Sequence, residues 1–471
     1  MLFNTFQFAA FFVLVYVLYR ATPRERRGNL LLGASFVFYF LWIPSYLLLL
    51  LGDLVVNFAL MRLMTRSRRP GVVLATSIVF TLGLLGTFKY AAMFVETIAP
   101  VLAAGFGLEP AIPEIFLPLG ISFYSFQIIA LQVDIYRGNS RPVERFARYA
   151  LFISFFPQLI AGPILRGHEF LGQLERGGEM TRERNRRGLW LVASGLVKKV
   201  VFADFLLAPF VDEIFGTPDV ASAQLQWIAV YSFTFQIYFD FSGYCDIARG
   251  LALWLGFELP LNFEEPYLSK DPAEFWRRWH ITLSRWLRDY IFMPLAERRG
   301  PRGAGFALFM TMTLGGLWHG AAWNFALWGV YHGAILVAHR VVAPVFARTA
   351  PRTGLAGSAW NAVCMIATFH MVAVGLAIFR AASLDDVVTI LSNLVVFDFA
   401  SPWPTLQAAI VALCGALHFV ERSLRLRLPA WQRAAAHSRF APLGEGLAFG
   451  VVVGIAIATS GTGGEFIYFQ F

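Results

Sequence analysis

The sequence predicts an all-α polytopic membrane protein, a single domain across residues 1–471, and three observations predict it. The chain is 57% hydrophobic and 15% charged, with a mean hydropathy of +0.59, where a soluble globular chain carries roughly 25% charged residues. Apolar runs long enough to cross a bilayer recur from end to end. The arginines gather in short loops: Arg20, Arg24, Arg26 and Arg27, then Arg62, Arg66, Arg68 and Arg69, then Arg182, Arg184, Arg186 and Arg187. That pattern marks cytoplasmic loops under the positive-inside rule. The net charge of +9 therefore reports topology rather than nucleic-acid binding.

The first apolar segment, 6–19, precedes its basic cluster, the reverse of a secretory signal. It reads as a membrane helix with its N-terminus outside. Residues 30–64 read as two helices split near Trp42-Ile43-Pro44, flanked on both sides by basic loops. Segments near 71–104 and 115–135 follow, then a basic loop from Arg137 to Arg148. The run 151-LFISFFPQLIAGPILRG-167 is apolar but interrupted by Pro157, Gly162 and Pro163. Proline removes a backbone donor, and unpaired backbone groups are costly in lipid, so this stretch suits a re-entrant or protein-buried course. Further apolar runs lie near 188–215, 225–256, 304–318, 321–345, 358–380, 404–423 and 443–459. The expected total is about 11 crossings. No internal repeat or low-complexity region interrupts them.

Residues 273-AEFWRRWHITLSRWLRDYIFMPL-295 break the pattern, being too charged to span. At helical spacing Phe275, Trp279, Leu283, Trp286 and Tyr290 form an aromatic stripe, and Arg277, His280, Ser284 and Arg288 a polar one. Such a helix lies in the membrane interface, either as an anchor on lipid phosphates or with His280 and Arg277 turned toward a polar cavity that admits an anionic ligand.

An ionisable group near the bilayer centre costs about 2.5–3.5 kcal/mol, so it faces a cavity or a partner. Candidates are Asp53, Asp134, Lys198, Lys199, Asp240, Asp246 and His319. The stretch 234-TFQIYFDFSGYCDIARG-250 is the densest in polar groups. Gln236, Asp240 and Tyr244 share a helical face there, and with Tyr238 they read as interhelical bonding or as the wall of a water-filled cavity. Lys198 and Lys199 read as a snorkelling boundary. The chain's three cysteines, Cys245, Cys364 and Cys414, form no CxxC pair. No cluster suggests a metal, and no GxxxxGK loop is present.

The most informative stretch is 314-LGGLWHGAAWNF-325, uncharged apart from His319. Histidine suits proton transfer at neutral pH, and apolar surroundings keep it neutral and able to accept a proton. Gly315, Gly316 and Gly320 let backbone approach closely. A core histidine bonded to a carbonyl is the structural alternative on local sequence alone. The remaining histidines, His332 included, read as structural.

With these residues in view, the sequence resembles the membrane-bound O-acyltransferase family, most closely its bacterial alginate O-acetyltransferase branch. The resemblance rests on 117-LPLGISFYSFQ-127, 155-FFPQLIAGPILR-166, 237-IYFDFSGYCDIARG-250, 266-PYLSKDPAEFWRRWHITLSRWLRDYIFMPL-295, 314-LGGLWHGAAWNFALWG-329 and 466-FIYFQF-471. It implies a ring of helices around a thin centre, with a cytoplasmic funnel for the acyl donor and a tunnel to the far side. It makes His319 the family's near-universal histidine and His280 the second motif position. Both are expected to be catalytic, with Arg277, Ser284, Trp318, Asn324, Gln236, Tyr238 and Asp240 binding substrate or lining the tunnel. The implied donor is acetyl-CoA, without a metal. The implied partners are membrane lipids, an exported polysaccharide and a periplasmic acetyltransferase of lipase-like (SGNH) type. The implied location is the bacterial inner membrane.

His319 is expected to be the general base for the attacking hydroxyl. His280 is expected to polarise the donor carbonyl, bind the oxyanion, orient His319 or take part in a covalent relay. The D-alanine branch, which decorates teichoic acids, shares the core motifs and leaves the acyl group open. A transporter with membrane Asp, Lys and His lining a path is the competing class, though no inverted repeat supports it. A scaffold subunit with decayed catalysis is disfavoured by the intact His280 and His319.

Overall fold

The computed structural model describes residues 3–108, 110–113, 115–351, 353–396, 401–435, 441–459 and 467. The regular elements among the described residues are all helices, with no strand among them. Four of the helices are long and apolar enough to cross a membrane: Pro44–Met64, Pro70–Phe106, Trp323–Phe346 and Gly354–Arg380. The other apolar runs fold as shorter helices, such as Phe6–Ala21 and Ile121–Tyr136, or as more polar ones, such as Ala223–Trp254. The chain is a membrane protein with several spans. Its helices form two compact units, one of residues 1–192 with 244–260 and the other of 193–243 with 261–471.

In the first unit the split near Pro44 is present as expected. A helix ends at Phe40, Ile43 is extended, and Pro44 opens the next helix at a position where its missing N–H costs nothing. The run 151–167 is broken and buried, as its proline and glycine spacing predicts. Phe155 leaves helical geometry between Phe146–Ser154 and Phe156–Leu159. The Phe156 N–H freed at this break donates to Ser35 Oγ at 3.1 Å, so the break is tolerated inside protein rather than lipid. Gly162 is required there, because a Cβ would fall 2.5 Å from Gln158 Cα.

In the second unit the helices Met293–His319 and Trp323–Thr349 pack glycine against backbone. A Cβ on Gly316 would meet the Phe325 carbonyl oxygen at 2.3 Å, and one on Gly329 would meet the Met312 carbonyl oxygen at 2.5 Å. Without an apolar driving force between helices in lipid, such small-residue faces let dispersion contacts form at short range. His319 ends the first of these helices and extended Gly320 leads away from it.

The interfacial segment departs from expectation. It is not one helix over 273–295. Asp271 caps a short helix Pro272–Arg278, its carboxylate accepting from Glu274 N–H at 2.7 Å. Trp279 then turns extended and His280 takes the left-handed conformation (φ 42°, ψ 54°) before a second short helix, Ile281–Leu287. The helical spacing that set Arg277 and His280 in one stripe is broken at this turn. Arg277 is exposed, whereas His280 is wholly buried.

Candidate active site

A left-handed conformation in a histidine costs about 1–3 kcal/mol and persists only where its surroundings hold it. Asn262 supplies the hold. Its backbone oxygen accepts from Ile281 N–H at 2.9 Å. Its side-chain Oδ1 takes Thr282 N–H at 3.2 Å, Thr282 Oγ1–H at 2.9 Å and His280 Nδ1 at 3.2 Å. Ser284 adds to the hold, donating from Oγ to the Trp279 carbonyl at 3.2 Å, while its N–H donates to the His280 carbonyl at 2.9 Å.

These bonds fix a tautomer. The Thr282 backbone N–H can only donate, so the Asn262 amide must present its oxygen. His280 Nδ1 faces that same oxygen and therefore carries the hydrogen. In the neutral ring Nε2 then holds a lone pair. His280 lies outside the four long crossing helices, and burial pushes its pKa down to about 3, so it is neutral at physiological pH.

The structure brings His319 to the same place. The His280 and His319 ring centroids are 6.5 Å apart, with planes at 61°. At that separation no ring nitrogen of one reaches a nitrogen of the other, so His280 does not orient His319 by a direct hydrogen bond. Both are buried. Trp318 stands beside both, 6.2 Å from His280 and 5.0 Å from His319. Phe241 meets His280 edge-on at 4.7 Å. Trp328 and Phe379 meet His319 at 5.1 and 5.4 Å. His332, expected to be structural, joins this aromatic box on the far side of Trp328, at 4.8 Å.

The other expected site residues take other positions. Asn324 donates through Nδ2 to the Phe379 and Ala381 carbonyls at 3.3 and 2.8 Å, fastening the helix end that carries Phe379 over His319. Tyr238 donates to Glu421 Oε2 at 2.7 Å. Its ring reaches Phe263 at 5.9 Å, which in turn reaches His280 at 6.3 Å. Asp240 faces a cation, with Lys199 Nζ at 2.6 Å from its Oδ1 and at 2.8 Å from Asp204 Oδ1. Ile467 N–H donates to Asp240 Oδ2 at 2.8 Å. Lys199 is thus no snorkelling residue. It is buried between two carboxylates, and Lys198 pairs with Glu421. Gln236 is buried, but among the described residues no hydrogen bond or ring contact ties it to either histidine.

Asn262 and Glu421 were not singled out by sequence. Their partners lie far along the chain, and neither carries a local motif. Among the described residues no group of three or more His, Cys, Asp or Glu gathers as a metal site.

A family model described as the membrane-bound O-acyltransferase family matches residues 114–379, which include both histidines and Asn262. The chain is 38% identical to a probable alginate O-acetylase AlgI of Azotobacter vinelandii, over 81% of this chain and 75% of the relative. It is 35% identical to a peptidoglycan O-acetyltransferase of Helicobacter pylori, over 77% of this chain and 72% of the relative. A teichoic acid D-alanyltransferase of Bacillus subtilis is 28% identical over 55% of this chain and 68% of the relative. On the family model and on relatives at 35–38% identity that span most of its length, the chain belongs to the membrane-bound O-acyltransferase family and is an O-acyltransferase.

Proposed function

We propose that the chain takes an acetyl group from cytoplasmic acetyl-CoA and passes it across the bacterial inner membrane toward O-acetylation of an exported polysaccharide. A periplasmic partner of lipase-like (SGNH) type would receive the acetyl on the far side. The O-acetylating relatives support acetyl over D-alanyl, because they match at 35–38% identity over about four fifths of the chain, against 28% over 55% for the D-alanyltransferase.

The observation that carries the reading is the pair of buried histidines facing one box of Trp318, Trp328, Phe379 and Phe241. A hydroxyl attacks a thioester poorly at neutral pH unless a base takes its proton. In the proposed step His319 accepts that proton as the hydroxyl oxygen bonds to the acetyl carbonyl carbon. The tetrahedral intermediate then collapses, the carbon–sulfur bond breaks, and the proton passes to the leaving thiolate. His280 does not serve as an oxyanion donor in its neutral form, because its hydrogen is committed to Asn262. Its Nε2 lone pair instead accepts a hydrogen bond from substrate.

Ser284 and Asn324 act as positioning residues for His280 and for the Phe379 wall. Arg277, on the exposed side, draws the anionic donor rather than touching the reacting atoms. Tyr238, Asp240 and Gln236 belong to the surrounding wall. Reconstituted vesicles supplied with labelled acetyl-CoA on one side, and with partner or glycan on the other, test this. Label should appear on the acceptor with wild type and not with His280→Ala. No consumption of acetyl-CoA by wild type with acceptor present would overturn the donor assignment.

A further inference from the structure

Asp53 is the tenth of the 21 residues of the helix Pro44–Met64, midway along a span, and it is 2% exposed. Its Oδ1 accepts from Asn57 Nδ2 at 2.7 Å. Around that pair the same unit gathers oxygen atoms. Ser77 Oγ donates to Asn57 Oδ1 at 2.6 Å, and Thr81 Oγ1 accepts from Asn57 Nδ2 at 3.1 Å. Gln132 Nε2 donates to the Asn57 carbonyl at 2.8 Å. Tyr39, Tyr124 and Tyr149 lie within electrostatic reach of the carboxyl group. Among the described residues four of these buried oxygens have no hydrogen-bond partner: Asp53 Oδ2, Gln132 Oε1 and the hydroxyls of Tyr39 and Tyr149. Nor does any basic side chain among them pair with Asp53.

A lone carboxylate at mid-span must be neutralised, by a proton or by a cation. A proton on Oδ2 gives that oxygen one bond. A cation seated among these partnerless oxygens would be offered lone pairs alone, since each of them can accept. The donor set is entirely oxygen, which selects a hard ion. One carboxylate among neutral ligands selects a single positive charge, because a divalent ion would leave net charge buried. We propose that Asp53, Gln132 and Tyr149, braced by Asn57, form a binding site for one dehydrated alkali cation inside the first unit.

The test is equilibrium binding of radiolabelled sodium to the purified full chain in detergent, at pH 8 in choline chloride. We expect one saturable sodium per chain, displaced by unlabelled alkali chloride and not by choline. Asp53→Asn should weaken binding by at least about tenfold, while His319→Ala binds as wild type does. If Asp53→Asn does not purify as a folded species, Gln132→Leu takes its place with the same expectation. Absence of saturable binding of sodium, potassium or lithium to wild type would mean that Asp53 carries only a proton, and would overturn the proposal. Undiminished binding by Asp53→Asn would overturn it equally.

Discussion

Replacing Asn262 by alanine isolates the feature on which the His280 geometry depends. The side-chain oxygen of Asn262 accepts three hydrogen bonds, from Thr282 N–H, Thr282 Oγ1 and His280 Nδ1. At about 0.5–1.5 kcal/mol each they contribute about 1.5–4.5 kcal/mol. The left-handed His280 they hold costs about 1–3 kcal/mol. The two magnitudes are comparable, so Asn262→Ala removes what keeps the turn and the tautomer in place. A loss of about 2–3 kcal/mol in the transition state corresponds to a fall of about 30- to 150-fold in kcat. KM for acetyl-CoA should change by no more than about threefold, since no donor-binding group is removed. Asn262→Asp keeps an acceptor oxygen in the same place and should lose less than about tenfold. The assay is transfer of labelled acetyl from acetyl-CoA to acceptor in reconstituted vesicles, with the unfolding midpoint of each variant measured alongside. Retention of more than about half the wild-type kcat by Asn262→Ala would refute the clamp.

The glycines beside His319 make a graded pair. Gly316→Ala drives its Cβ against the Phe325 backbone oxygen, which cannot move aside, and should sharply reduce the yield of folded protein. For Gly320→Ala the nearest atoms are those of the Phe325 ring, at 2.1 Å, so the chain should fold with Phe325 and Phe379 displaced around His319 and with acyl transfer reduced at least about tenfold. Expression level and turnover, measured together, check this order. Lys199→Met leaves Asp204 and Asp240 buried without a counter-charge and should destabilise by about 3–5 kcal/mol. Asp204→Asn and Asp240→Asn added together should restore much of that loss, as read from the thermal unfolding midpoint.

What was legible in the sequence was whatever repeats or concentrates locally. Apolar runs and arginine-rich loops disclosed a helical membrane protein, and Pro44 and Pro157 disclosed breaks, because proline acts on its own neighbourhood. The WHG and WRRWH stretches pointed to His319 and His280. The turn at Trp279–His280 was invisible, since no glycine or proline marks it. It exists because Asn262, 18 residues earlier, supplies hydrogen bonds that outweigh the strain. Helical spacing therefore joined Arg277 to His280, which the fold separates. Lys199 was misread for a related reason. A lysine beside an apolar run reads as snorkelling until the fold reveals Asp240, 41 residues on, at 2.6 Å. Pairings between distant segments govern both cases, and nothing in a local window encodes them.

The most direct measurement is acetyl transfer by His319→Ala beside wild type, with acceptor present and with both proteins shown to be folded. We expect wild type to move label from acetyl-CoA to the acceptor and His319→Ala to do so at least about a thousandfold more slowly, the loss of a base together with the site it orders. Transfer by His319→Ala at the wild-type rate would contradict the assignment of His319 as the base that activates the attacking hydroxyl.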